Sequence, residues 1–76
     1  MAATNQQPAH GMRFIRLPTV ARKTGYSGPS IYRHIKESNF PKPVKIGPRA
    51  SAWIEEEVDA WMQKRIEASR QGQRDE

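Results

Sequence analysis

Proline and glycine punctuate the middle of this 76-residue chain so densely that only short elements fit between them. Pro18, Gly25, the pair Gly28–Pro29, Pro41, Pro43 and the pair Gly47–Pro48 each mark a boundary. Pro18 and Thr19 open a first helix, because a proline in the first turn lacks only an N–H that would have no partner there anyway. Val20, Ala21 and Thr24 form its inward side, and Gly25 ends it where left-handed backbone is least strained. A second helix, Ser27 to Glu37, follows. The Ser27 hydroxyl caps it, and Gly28 and Pro29 fall in its first turn. Ile31 and Ile35 are its buried stripe. At ~100° per residue, Pro29, Tyr32, Arg33 and Lys36 then lie on the far side, with His34 on the flank of the stripe as a half-buried packing residue. The short, glycine-containing connection between the two helices has the spacing of a helix-turn-helix.

Pro41 and Pro43 forbid helix and favour an extended path. "VKI" and "SAWI" read as short strands joined by "GPRA", a hairpin with Arg49 at its tip and Lys42 and Lys45 on its flank. Upstream, "FIRLP" is an extended entry carrying apolar Phe14, Ile15 and Leu17. The last element, "EEEVDAWMQKRIEASR", opens with Glu55, Glu56 and Glu57, where negative charge complements the helix dipole. Val58, Trp61, Met62, Arg65 and Ile66 share one side of it. Trp61 is expected to be the largest core side chain, and both it and Trp53 read as packing residues rather than base-stacking ones. The expected fold is mainly α: three helices plus a small two-stranded hairpin. A single domain over 13–68 is flanked by a disordered arm, 1–12, and a disordered tail, 69–76.

The chain has no Cys and two His, so disulfides, thiolate metal sites and a structural zinc are excluded and no cofactor is expected. No apolar run approaches the ~20 residues of a membrane span. "MAATNQQPAHGM" has neither the basic nor the apolar region of a signal peptide, so a cytoplasmic location is expected. An enzyme is not expected. There is no glycine-rich phosphate loop, no metal cluster and no supported Ser/His/Asp set. The three consecutive glutamates point in different directions and are a helix start, not a catalytic carboxylate pair.

Charge is divided along the chain. Residues 13–54 carry nine Lys/Arg against one acid, Glu37, a net +8; residues 55–76 carry four bases against seven acids, a net −3. The positive charge thus belongs to one contiguous part of the chain, and that part points to a polyanion.

The segments "RLPTV", "TGYSGPSIYRHI", "FPKPVKIGPRASAW" and "EEEVDAWMQKRI" resemble the AlpA family of prophage regulators over about Arg16 to Ile66. The resemblance implies a winged helix-turn-helix, similar to excisionases and to the DNA-binding part of MerR-type regulators. The recognition helix would be about 27–37 and the wing about 44–53. It implies transcriptional control of prophage or genomic-island genes, with double-stranded DNA as partner and RNA polymerase, integrase or further copies of the chain as candidate partners. An excisionase that bends attachment-site DNA is the alternative. Two departures stand out: His34 replaces a frequently apolar residue, and Pro48 replaces a frequent glycine at the wing tip.

A helix-turn-helix inserts the N-terminal part of its second helix into the major groove. That places Ser27, Gly28, Pro29 and Ser30 close to DNA, with small residues allowing the backbone near. Tyr32 and Arg33 lie one turn in, and Arg33 suits a guanine edge. Tyr32 reads equally as a ring covering the domain edge. Lys36 is expected to meet phosphate. Arg22 and Lys23 on the first helix reach the DNA backbone, and Arg49 at the wing tip suits phosphate or the minor groove. Lys45 reads equally as a phosphate contact or a solvated lysine.

Overall fold

Every boundary marked by proline or glycine coincides with the end of an element, or with a connection, in the computed structural model, which describes residues 12–74. The elements are β1 (Phe14–Ile15), α1 (Leu17–Thr24), α2 (Gly28–Glu37), β2 (Val44–Gly47), β3 (Ala50–Ile54) and α3 (Glu55–Arg74). Apart from Met12, the expected disordered arm lies outside the described residues, as do the last two residues of the expected tail.

Helix α1 starts at Leu17, one residue before the proline expected to open it, and Pro18 sits in its first turn. Its N-cap is Arg16, extended and without a side-chain cap. Gly25 ends it at φ 82°, donating its N–H to the Ala21 carbonyl at 2.7 Å. In α2 the Ser27 hydroxyl caps the helix by accepting the Ser30 N–H at 3.3 Å. The chain leaves α2 through Asn39 at φ 61°, a conformation that asparagine tolerates better than most residues.

The sheet has the order β1-β3-β2, antiparallel throughout. β2 and β3 form the expected hairpin, with Val44 opposite Ala52 and Lys45 opposite Ser51. An irregularity between Lys45 and Gly47 precedes the Pro48–Arg49 turn. The extended entry supplies a third strand that the expected two-stranded wing lacked: Ile15 pairs with Trp53 and Phe14 with Ile54. Two paired residues are too few to show the alternation that marks a strand in sequence.

Ile15, Val20, Ile31, Phe40, Trp53 and Val58 form the core, with Leu17, Ala21, Tyr26, Ile35, Trp61 and Met62 packed around it. Each fully buried large side chain contributes about 1.5–3 kcal/mol. The largest of them is Trp53, not Trp61. Val58 takes the position beneath the sheet, and Trp61, one turn later, reaches the rim. There it packs edge-on to Phe40 and Tyr26 and carries the Arg65 guanidinium over its face at 5.6 Å.

Helix α3 continues to Arg74, past the expected end of the domain at residue 68. The segment expected to be a disordered tail from residue 69 is therefore helical as far as Arg74, and its side chains at 69–72 are exposed. Among the described residues no helix is long and apolar enough to cross a membrane, and no cluster of His, Asp and Glu could hold a metal ion.

Candidate nucleic-acid interface

The capping of α2 fixes its exposed N-terminal turn. The Ser27 and Ser30 hydroxyls lie 3.1 Å apart, and the Arg33 guanidinium donates back to Ser30 Oγ at 3.4 Å. This draws Arg33 toward the start of the helix, while Lys36 stands exposed one turn further on. Pro29 is exposed in the same first turn.

Gly28 faces inward. A Cβ at this position would meet Leu17 Cδ2 at 3.3 Å. The absent side chain therefore lets α1 and α2 approach, a packing reason distinct from the close approach to DNA expected from the sequence.

Tyr32 is 48% exposed and rests edge-on against buried Trp53, with ring centroids 6.1 Å apart. Its ring bridges α2 and the hairpin, so covering the domain edge and facing outward are one arrangement. Together with Arg16, Leu17, Pro18, Arg49, Ser51 and Trp53 it lines an open concavity of about 400 Å³. Arg49 reaches this concavity from the Pro48–Arg49 turn. Lys45 lies directly opposite Ser51, and cross-strand partners share a sheet face, so Lys45 is on the concave side.

Arg16 was not among the residues expected from the sequence. Its place in the concavity with Arg49 depends on how the hairpin packs, which neither helix phase nor turn position in the sequence shows.

Lys23 does not join this face. Its ammonium donates to Asp59 at 2.9 Å and to Glu55 at 3.1 Å, and Glu55 also pairs with Arg13 at 3.5 Å. The hydrogen bonds to Asp59 and then Glu55 hold the Lys23 pKa above its ordinary value of 10.5. Its charge is matched at the junction of α1 and α3, on carboxylates that the sequence separates from it by more than thirty residues. Arg22 stays exposed, donating to Thr19 Oγ1 at 3.3 Å.

His34 is half-buried, as expected. It stacks on Tyr26 at 4.3 Å, with Nδ1 3.0 Å from Ser38 Oγ. The first turn of α2, the hairpin turn and the concavity lined by Tyr32 and Arg49 thus carry no carboxylate. Glu37 stands at the opposite end of α2.

A match to the family described as Prophage CP4-57 regulatory protein (AlpA) covers residues 13–66, from the arginine paired with Glu55 to the last large apolar residue of α3. A protein of Enterobacteria phage P4, the uncharacterized ORF88, is 40% identical over 60 residues, covering 79% of this chain and 68% of that protein. The DNA-binding transcriptional activator AlpA of Escherichia coli K12 is 35% identical over 60 residues, covering 71% of this chain and 86% of that protein. No solved structure matches. The matched segment contains both helices of the helix-turn-helix, the hairpin and the core that joins them, and the chain belongs to the AlpA family of prophage regulatory proteins.

Proposed function

We propose that the chain is a sequence-specific DNA-binding regulator of transcription that acts on prophage or genomic-island genes. The observation that carries this reading is the concavity where Tyr32 of α2 meets Arg16 and, from the hairpin turn, Arg49, with no carboxylate in its lining. A helix of α2's dimensions fits the major groove. In this reading Arg33 donates to a base edge, with Ser27, Ser30 and Tyr32 beside it, and Lys36 and Arg22 meet flanking phosphates. The hairpin lies over the backbone, with Lys45 and Arg49 toward phosphate. Gly28 acts indirectly, by seating α2 against α1. Lys23, already paired, is left out. The similarity to a DNA-binding transcriptional activator supports the same reading.

Fluorescence anisotropy with duplexes from the chain's own genomic neighbourhood tests this, with scrambled duplexes beside them at two salt concentrations. The expected result is preference for one duplex and an affinity that falls as salt rises. Equal, weak binding to every duplex would overturn sequence-specific regulation by this chain alone. A circular-permutation bending assay on the preferred duplex separates the regulator from an excisionase, for which strong bending is expected.

A further inference from the structure

Arg16 and Arg49 are distant in sequence, one at the cap of α1 and the other in the hairpin turn, yet both line the same concavity. Neither forms a salt bridge or a side-chain hydrogen bond among the described residues, whereas Arg13, Arg22, Lys23 and Arg33 each have a partner. Two exposed guanidiniums beside one hollow with no carboxylate in its lining favour an anion there. The Tyr32 and Ser51 residues on the same wall carry hydroxyls, which suit the remaining oxygens of a tetrahedral anion. Guanidinium is also the side chain best matched to phosphate, because its fork donates two parallel hydrogen bonds.

We propose that Arg16 and Arg49 jointly clamp a single DNA backbone phosphate, seated between the recognition helix and the wing. Arg16 is then a positioning residue: it fixes the register of α2 in the groove without reading a base. The clamp rests on the DNA-binding reading above. Tyr32, edge-on against buried Trp53, lines the same concavity as the two arginines.

The test is the slope of log affinity against log salt, measured by anisotropy on the preferred duplex and on a scrambled one. Four proteins are compared: wild type, Arg16→Gln, Arg49→Gln and the double variant. Each single variant is expected to weaken binding to both duplexes by the same factor. Because the slope counts neutralised phosphates at about 0.9 per phosphate, the double variant should lose about one unit of slope, not two.

A loss of about two units assigns the arginines to separate phosphates and overturns the clamp. Unchanged affinity and slope in Arg16→Gln overturn it as well, and leave DNA binding by the recognition helix standing. Absence of DNA binding by the wild type removes both proposals together. Both arginines are exposed, and matched melting temperatures will confirm that the variants fold. Inorganic phosphate titrated into the free protein is expected to show no saturable binding at micromolar concentration. Such binding, lost in Arg16→Gln, would assign the hollow to a small free anion and overturn its assignment to DNA.

Discussion

Replacing each tryptophan by phenylalanine should separate the two by their places in the fold. Trp53 is 1% exposed, and its Nε1 donates to the Pro41 carbonyl at 3.0 Å. Trp53→Phe leaves that carbonyl without its donor, at about 1–3 kcal/mol. It also opens a void smaller than that of a Trp→Ala change, adding about 1–2 kcal/mol. Trp61 donates an equivalent bond, to the Ser38 carbonyl at 3.0 Å, but it sits half-buried at the rim, where water can replace the lost donor. Trp61→Phe should therefore cost only about 0.5–1.5 kcal/mol. A domain of this length is stable by roughly 4–10 kcal/mol, so the first loss is a large fraction of the total. Each kcal/mol moves Tm by about 4–8 °C in so small a domain. Trp53→Phe should lower Tm by about 8–40 °C, and Trp61→Phe by about 2–12 °C. Thermal unfolding followed by circular dichroism measures both. The fluorescence of the folded variants gives an independent check. The protein that keeps only Trp53 should emit further to the blue than the one that keeps only Trp61. Equal shifts in Tm, or a larger one for Trp61→Phe, would refute the assignment of Trp53 as the centre of the core.

Arg33→Ala is expected to cost about 1–3 kcal/mol on the preferred duplex and to narrow the gap to scrambled DNA. Lys45→Ala should weaken both duplexes evenly and flatten the salt slope by about one unit; anisotropy reads both variants. Ser27→Ala removes the cap of α2, at about 1 kcal/mol of stability. Ser27→Asp should restore the melting temperature, since aspartate caps as well as serine, yet still weaken DNA binding through its charge. Lys23 has its pKa raised by Asp59 and Glu55, so its contribution to stability is complete below its ordinary value and is lost as pH climbs through the raised one. The stability difference between wild type and Lys23→Met, from denaturant unfolding, should therefore hold below the ordinary lysine value and shrink as pH climbs above it.

What the sequence revealed, and what it hid, follows the range of each interaction. The ends of α1 and α2 were legible because their causes are local: Pro18, Gly25 and the Ser27 cap act on their own turns. The hairpin and its Arg49 tip were legible for the same reason. The third strand was not, because Phe14 and Ile15 become a strand only by pairing with Trp53 and Ile54 at the other end of the domain. The ranking of the two tryptophans was hidden too, since helical spacing shows which side of α3 is apolar but not how far along the helix the sheet covers it. Of the expected site residues, helix phase put Tyr32 and Arg33 on the exposed side of α2 and turn position put Arg49 in the hairpin turn, where the structure has them. Lys23 was misplaced because its partners, Glu55 and Asp59, arrive from α3. Arg16 was overlooked because its neighbour Arg49 comes from the hairpin.

The division of charge along the chain becomes a division in space through Glu55. This residue is the first of α3, and the Arg13 carbonyl fixes it by accepting its N–H at 2.8 Å. Its carboxylate takes up Arg13 and Lys23, and Asp59 takes a second hold on Lys23. Two of the nine positive charges of residues 13–54 are thus matched at the base of α3. Exposed pairs of this kind add little stability. Their effect is on the field: the base of α3 is neutralised, while Arg16 and Arg49 beside the concavity have no acidic partner among the described residues. A basic chain with charge on every side would bind DNA in many orientations. The acidic start of α3 takes two cations out of that choice, and under the DNA-binding reading the concavity lined by Arg16 and Arg49 is where a phosphate would be held.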